Sequence, residues 1–504
     1  MSLKKSGLIL ILIAMFSKFL GLSREILIAY NYGTNADYDV YVFSTTIALN
    51  LAHFLLGGAF AAAFIPIYSE LISVQKEHER KQFAWQIINI TFIIAGLMIL
   101  FGILFSRQLV GALAPGLNVV SHDKAILMNY MVLPTILIIS MISISKSVLN
   151  THEKFFLPGL HQTLLNLSLI ICMVLFSEKF GIFALSLGFL LGGIIPLAIQ
   201  FPQTLKKIGS INFKINLKNE YFQKFLKIFL PMLIVMFFIE LTYIVDNMIG
   251  SYLGEGNISA LGYSMRLMDL AKSIIAVSVV TVVFPRLSKK SFEGDWKNFG
   301  DALKKGLNVI FIATLPIMLV FLFFPQYVVS IIFERGSFDV ASTAITSQAL
   351  RYYSFAAFFI SINYILTHAL FSLKKIKHMI YISSISLIIN ILLNIILSNY
   401  MGVAGITLAT SIAYFLMFVL LLRSLRVRES GINLIEWLKS VWKITSSLFV
   451  VFSMVLYFVN QFPTNVTFAA GMFLLLCVYI LLLRKFNKDI FGLILSTLKI
   501  KKSL

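Results

Sequence analysis

The sequence predicts an all-α polytopic membrane protein with fourteen transmembrane helices, on three observations. The chain of 504 residues is 59% hydrophobic with a mean hydropathy of +0.90, which is too apolar for a soluble protein of this length. Apolar runs of about 20 residues, long enough to cross a bilayer as helices, recur from end to end. The runs are continuous, whereas a β-barrel would show short segments of alternating polarity.

The fourteen apolar runs define the predicted spans. The first run is too long for the core of a signal peptide and has no small-residue cleavage site, so it is expected to remain as a span. The two cysteines, Cys172 and Cys477, fall inside apolar runs, which favours neither a disulfide nor a metal site. The predicted spans are 7–30, 39–69, 83–106, 126–150, 157–177, 181–203, 222–251, 258–285, 306–326, 342–372, 378–398, 402–422, 444–460 and 465–483.

The basic residues predict the orientation of these spans. With the N-terminus inside, 33 of the 42 Lys and Arg residues fall on one side of the membrane and only four, in the loops, on the other. The positive-inside rule then places both termini in the cytoplasm. The net charge of +20 is therefore first a topology signal. Part of it is expected to meet anionic membrane lipids, and no nucleic acid is expected as a partner.

Spans 1–6 and 7–12 are predicted to be two copies of one six-helix lobe. FIPIYSEL matches VFPRLSKK, LFSRQLVGAL matches FFPQYVVSII, and GIFALSLG matches GVAGITLA, at offsets of 219 to 221 residues. Because six is an even number, both copies point the same way, and their pseudo-two-fold axis runs along the membrane normal. The predicted organisation is an N-lobe at 1–215, a C-lobe at 216–430, and two extra helices with a cytoplasmic tail at 431–504.

Charged side chains interrupt span 1. Lys18, Arg24 and Glu25 fall on one face of an otherwise apolar helix, together with Ser17 and Gly21. Such a stripe costs several kcal/mol if it faces lipid, so it is expected to face a wet cavity or other helices.

Span 8 has the same design, with Arg266 and Asp269 on one face and Lys272 beside it. Arg24 and Arg266 lie at similar distances from the outer ends of their spans. Two guanidinium groups facing each other, oriented by acidic neighbours, are a good receptor for a phosphate. The residues leave an alternative open, in which Arg266 pairs with Asp269 and Arg24 pairs with Glu25 or Asp39.

A second polar cluster is mostly uncharged. Asp246 lies in span 7, Asn390 and Asn394 lie one turn apart in span 11, and Thr410 lies in span 12. Oxygen ligands from three helices suit Na⁺ or a proton path, while interhelical hydrogen bonding is the competing interpretation. The sequence contains no GxxxxGK, HExxH or GxSxG motif, so no enzyme is predicted.

Three stretches carry a family resemblance: SKFLGLSREILIAYNYGTNADYDVYVFS, GGAFAAAFIPIYSEL and YSMRLMDLAKSIIAVSVVTVVFPRLSK. They closely resemble the MurJ-type lipid II flippases of the multidrug/oligosaccharidyl-lipid/polysaccharide exporter superfamily. The resemblance covers most of the chain, including APGL and LNTHEKFFLPGL. It implies two lobes around a cationic cavity that work by alternating access. The implied cargo is an undecaprenyl-diphosphate-linked peptidoglycan precursor, moved from the inner to the outer leaflet of a bacterial plasma membrane.

The resemblance also assigns roles to individual residues. The phosphate-binding arginines of the family fall on Arg24 and Arg266, with Glu25 as the acidic neighbour, and gate residues fall on Lys18 and Asp39. Spans 13 and 14 would form the groove for the lipid tail. A sodium site of the family falls on Asp246, Asn390, Asn394, Thr410 and a backbone carbonyl near Ile406.

Two departures from the family pattern keep the cargo and the coupling ion open. Ala52, His53 and Gly57 stand in a region where the family often has arginines and a glutamate, and Asn394 stands where a second carboxylate occurs. Export of another undecaprenyl-linked saccharide is therefore a second hypothesis, and a drug/cation antiporter a third. The chain is expected to act as a monomer, without a cofactor other than Na⁺ as a candidate coupling ion.

Overall fold

The computed structural model describes residues 3–425 and 434–486, and the regular elements in these ranges are all helices, with no strand. The chain divides into two compact units. The first comprises Met1–Gly262 and Phe333–Ser342, and the second comprises Tyr263–Ile332 and Thr343–Leu504. The predicted cytoplasmic tail lies mostly outside the described residues.

Ten helices lie in the first unit, and α11 begins there and continues into the second. The helices are α1 (Leu3–Tyr32), α2 (Ala36–Leu56), α3 (Gly58–Ser73), α4 (Glu77–Leu104), α5 (Ser106–Leu113), α6 (Val119–Val132), α7 (Thr135–Thr151), α8 (Phe156–Phe180), α9 (Phe183–Ile208), α10 (Glu220–Tyr252) and α11 (Asn257–Phe292). Helices α1 and α9 pack on α8, and α2 packs against α3, α6, α7 and α10.

Seven further helices follow α11, and α12 packs on α17. They are α12 (Trp296–Phe323), α13 (Pro325–Phe333), α14 (Val340–Ser372), α15 (Ile376–Met401), α16 (Val403–Leu425), α17 (Leu434–Gln461) and α18 (Asn465–Phe486).

The helices account for the predicted spans. Eleven helical segments of the described chain are long and apolar enough to cross a membrane. Helix α1 and the apolar stretches Thr445–Gln461 and Asn465–Tyr479 correspond to the other three of the fourteen. The predicted all-α membrane fold is confirmed, because every predicted span coincides with a helix or with two consecutive helices.

Two predicted spans are broken inside the protein. The span predicted at 39–69 is two helices, α2 and α3, separated at Gly57, whose N–H donates to the carbonyl of His53 at 2.7 Å. The span predicted at 126–150 starts earlier and is also two helices, α6 and α7, separated at Leu133 and Pro134. A proline cannot donate the intrahelical bond and crowds the preceding turn, which explains the second break.

The short helices α5 and α13 each follow the third span of a predicted repeat. They are formed by LFSRQLVGAL and FFPQYVVSII, two segments that the repeat pairs with each other.

Polar side chains cap the helices between spans. Asn35, Asn118 and Asn219 accept hydrogen bonds from the backbone N–H groups three residues further on, at the starts of α2, α6 and α10. Such caps satisfy donors that have no intrahelical partner. They fix the helix starts where the chain turns back, and the apolar runs between them supply the membrane-spanning lengths.

Two glycine loops of the first unit lie directly against each other. Gly33, after α1, and Gly336, before α14, both have left-handed φ values, +56° and +61°. Between them the N–H of Ser337 donates to the carbonyl of Tyr30 at 2.8 Å. A Cβ on Gly336 would come within 2.5 Å of that carbonyl oxygen. Only glycine allows this conformation and this approach together.

Candidate functional site

Arg24 and Glu25 form the centre of the polar stripe on α1. Their side chains are in direct contact, Nη2 to Oε1, and are only 12% and 7% exposed. Arg24 Nη1 also donates to Asn166 Oδ1 at 2.8 Å. Within the described residues, the Nε–H of Arg24 is buried and has no hydrogen-bond partner. A buried donor left unpaired costs about 1–3 kcal/mol, so this guanidinium group has one N–H whose hydrogen-bonding capacity is unused.

Asn166 is the residue of this site that the sequence analysis missed. It lies on α8, which packs on α1. Its amide Nδ2 donates to the carbonyl of Ser17 at 3.0 Å while its Oδ1 receives Arg24. A Cβ on Gly21 would lie 3.3 Å from that Nδ2, so the small residue on the stripe makes room for the amide. A lone asparagine in an apolar span has no spacing pattern that would reveal this role.

Lys18 and Asp39, the predicted gate residues, lie in different surroundings. Lys18 is exposed on α1. Asp39 is 2% exposed, and its carboxylate accepts from the N–H of Gly256 at 2.6 Å and of Ser259 at 2.6 Å, and from Ser259 Oγ at 2.5 Å. Asp39 thus caps the first turn of α11, where the partial positive charge of the helix favours a carboxylate. Of the two acidic residues considered as partners of Arg24, the structure shows a contact with Glu25.

The stripe on α11 has a different internal pairing. Asp269 Oδ1 lies 2.5 Å from Lys272 Nζ, with side chains 36% and 23% exposed. Arg266, on the same helix, is half-buried. Its acidic neighbour is therefore engaged by a lysine one turn away. Arg24 and Arg266 belong to different units, and the predicted phosphate receptor built from both stays a prediction.

Four members of the predicted cation set meet in the second unit. Asn394 Nδ2 donates to Asn390 Oδ1 at 3.1 Å, Asn390 Nδ2 to Thr410 Oγ1 at 3.1 Å, and Thr410 Oγ1 to the carbonyl of Ile406 at 3.1 Å. All four residues are at most 1% exposed. Asp246 is also buried, but it lies in the first unit, so convergence of the whole set stays a prediction.

Near the break after α2, His53 faces an acidic residue. His53 Nδ1 lies 3.8 Å from Glu240 Oε1, and the carbonyl of Glu240 accepts from Asn50 at 3.5 Å. The His53 side chain is 53% exposed and that of Glu240 is 17% exposed. His53, one of the three residues that depart from the family pattern in this region, is thus beside a carboxylate.

Comparisons with known proteins identify the family. The sequence profile of the lipid II flippase MurJ family matches residues 28–479, which is most of the chain. The chain belongs to this family. Membership makes it a membrane transporter rather than an enzyme.

Individual relatives agree with this assignment. A probable lipid II flippase MurJ of Buchnera aphidicola subsp. Baizongia pistaciae is 29% identical over 92% of this chain and 90% of its own. The lipid II flippase MurJ of Burkholderia cenocepacia is 28% identical over 82% of each chain.

Solved structures give the same fold. A lipid II flippase MurJ in an inward closed conformation covers 96% of this chain and 99% of its own, with a TM-score of 0.82 and 27% identity. An inward-facing multidrug resistance transporter of the MATE family, in the MOP superfamily, has a TM-score of 0.72 over 84% of this chain. At 12% identity, this second likeness concerns the fold alone.

Proposed function

We propose that the chain moves lipid II, an undecaprenyl-diphosphate-linked peptidoglycan precursor, from the inner to the outer leaflet by alternating access. The observation that carries this proposal is the Arg24 site: a nearly buried guanidinium group in a flippase-family chain, held at two nitrogens and unpaired at Nε. A diphosphate offers several anionic oxygens to such a group, and charge-assisted bonds to phosphate are among the stronger hydrogen bonds. Arg266 is proposed to contribute the second cation.

The direct test is transport by the purified protein in proteoliposomes. Lipid II with a fluorescent label is placed in the bilayer, and its appearance in the other leaflet is followed with an impermeant quencher. We expect transport of lipid II. A second lipid with the same undecaprenyl diphosphate but a different saccharide separates the alternative, export of another polysaccharide unit. Faster movement of that second lipid would reject lipid II as the preferred cargo.

We propose that both termini face the cytoplasm, as the distribution of basic residues favours. Single cysteines at Tyr252, which is 66% exposed, and at Lys297, which is exposed, test this in intact cells. An impermeant maleimide should label position 252 from outside and should label position 297 only after the membrane is opened. The reverse pattern would overturn the orientation.

We also propose Na⁺ as the coupling ion. The donors are oxygens of Asn390, Asn394, Thr410 and Ile406, hard ligands that suit this ion, and Asp246 would supply the negative charge. Replacing Na⁺ by choline during the proteoliposome assay should slow transport, and Asp246→Asn should remove the difference. Equal rates in both salts would reject Na⁺ coupling while leaving flipping itself intact.

A further inference from the structure

The segment that joins α9 to α10 is a tandem repeat of four residues. Residues 211–218 read INFKINLK, so Ile211-Asn212-Phe213-Lys214 is followed by Ile215-Asn216-Leu217-Lys218. We call residues 209–219 the connecting strap. It has no helix of its own, and all of it lies in the first unit.

Both copies of the repeat are fastened to α4 in the same way. Asn89 Nδ2 donates to the carbonyl of Asn212 at 2.8 Å, and Gln86 Nε2 donates to the carbonyl of Asn216 at 2.8 Å. Asn212 and Asn216 each also accept, through Oδ1, from the N–H of the lysine two residues on, at 2.9 Å for Lys214 and 3.0 Å for Lys218. Two carbonyls and two N–H groups of the strap backbone are thus bonded by amide side chains.

The fastening points lie inside the apolar part of α4. From Phe83 to Leu104 this helix has 22 residues without a charge, about the length that spans the hydrocarbon core. Gln86 and Asn89 are the fourth and seventh residues of that run, in its first two turns. Irregular backbone is tolerated at this depth only when its polar groups are bonded by protein or lie at the wet boundary. The carbonyls of Asn212 and Asn216 and the N–H groups of Lys214 and Lys218 are bonded in this way.

The apolar side chains of the strap point away from the protein. Ile211, Phe213, Ile215 and Leu217 are 62%, 81%, 42% and 59% exposed. These residues alternate with the asparagines and lysines, and Lys214 and Lys218 are themselves exposed. Four large apolar residues exposed at every second position of one segment are unusual for a surface in water.

We propose that the connecting strap binds the interfacial layer of an anionic bilayer. Ile211, Phe213, Ile215 and Leu217 insert beside the lipid-exposed surface of α4, where Phe92 is 58% exposed. Lys214 and Lys218 contact acidic lipid headgroups, as lysines flanking apolar anchors do at a membrane surface. Three features favour lipid over a protein partner: the position of the strap beside the apolar part of α4, the hydrogen bonds that its backbone makes to α4, and the positive charge of its lysines.

The test uses the full chain reconstituted in bilayers, in a background with Cys172→Ala and Cys477→Ala. Single nitroxide labels are placed at Phe213 and Ile215, and at Lys214 and Lys218 as matched neighbours. Labels at 213 and 215 should collide severalfold more with oxygen, which dissolves in lipid, and labels at 214 and 218 more with a water-soluble nickel complex. Equal access of the nickel complex to all four positions would overturn the proposal.

The charge requirement is tested with lipid composition. A fluorophore at position 213 is quenched by brominated phosphatidylglycerol or brominated phosphatidylcholine in mixed vesicles. Preferential quenching by the anionic lipid is expected, and Lys214→Gln with Lys218→Gln should lower the preference by a factor of roughly ten to thirty, since each lysine near an anionic surface contributes about 1 kcal/mol. Lys297→Gln with Lys305→Gln, two exposed lysines elsewhere, should leave it unchanged.

The remaining outcomes also decide the question. No preference for the anionic lipid, or the same loss in both double variants, would overturn headgroup binding by the strap. Shielding of position 213 in crude membranes but exposure to water in proteoliposomes would indicate a protein partner and would likewise overturn the proposal. Asn89→Ala, which removes one fastening point, should reduce the difference between positions 213 and 214 while the protein stays monodisperse.

Discussion

The charged stripes of α1 and α11 lie in different predicted repeats, in the first span of one and the second span of the other, and their acidic residues make different contacts. On α1 the acid contacts the arginine, and Asn166 holds the same guanidinium group from a second helix. On α11 the acid pairs with Lys272, one turn away. The comparison teaches that two helices with similar charge patterns in the sequence can pair their acidic residues with different cations. Arg24 is held in one orientation, whereas the acid beside Arg266 neutralises a different cation.

The largest effect is expected from Arg266. Arg266→Ala should abolish lipid II transport in proteoliposomes, because the proposed diphosphate would lose a two-pronged contact. Arg266→Lys should restore only part of the rate, since an ammonium group cannot make that contact. Both variants should insert and elute as the parent protein does. Normal transport by Arg266→Ala would mean that the charges of α11 serve structure alone.

The second largest effect on transport is expected from Asn166. Asn166→Ala leaves Nη1 of the nearly buried Arg24 without its acceptor, at a cost of about 1–3 kcal/mol. Transport should fall roughly tenfold, with a lower melting temperature. Asn31→Ala is the matched control, because Asn31 is exposed on α1, the helix of Arg24, and its amide donates to the carbonyl of Leu27 and contacts Met173 Sδ. Equal losses in the two variants would show that the Arg24–Asn166 bond has no special role.

A smaller effect on stability is expected at Asp39. Asp39→Asn places an NH₂ group or a neutral oxygen before the N–H groups of Gly256 and Ser259. Loss of this cap should lower the free energy of unfolding by about 1–2 kcal/mol, measured by thermal unfolding in detergent. Asp37→Asn removes a half-exposed carboxylate that pairs with Lys124, and should cost less. The opposite order would contradict the capping role.

The smallest effect concerns the pair that distinguishes α11. A double-mutant cycle of Asp269→Asn and Lys272→Gln should give a coupling energy near 1 kcal/mol, as expected for a partly exposed ion pair. The same cycle on Glu70 and Lys224, which are 46% and 48% exposed at 2.5 Å, should give less. A coupling of zero at Asp269 and Lys272 would remove the contrast between the two stripes.

Sequence patterns predicted the spans well because a segment in the bilayer must satisfy its own backbone hydrogen bonds. Each span is therefore a helix, and its sequence is a continuous apolar run. The patterns left Glu25 and Asp39 as alternative partners of Arg24, and the structure shows the contact with Glu25. They missed Asn166, which lies 142 residues from Arg24 and becomes a partner only through the packing of α8 on α1. The break at Gly57 was also missed. The span was predicted from hydropathy, and the residues on both sides of Gly57 are equally apolar although they belong to two separate helices.

The Asn390–Asn394 pair shows that a sequence pattern can predict a contact without predicting its function. Its one-turn spacing on α15 predicts that the two side chains meet, and they do, with Thr410 from α16. The same spacing serves a cation site and an interhelical hydrogen bond equally well, so the pattern locates the cluster without deciding its use. The tandem INFKINLK is similar: its alternation is visible in the sequence, but its fastening points on α4 are not.

The paired glycine loops around Gly33 and Gly336 have a practical consequence for anyone who tags or probes this protein. The backbones of the two loops are in direct contact there. An inserted epitope or a bulky fluorophore would therefore push the loops apart, and the labelled protein would have a distorted structure. Tyr252, with 66% of its surface exposed, is a better attachment point between spans 7 and 8. The glycines also offer no side chains for an antibody or a nanobody to contact, so useful binders should recognise the neighbouring turns instead.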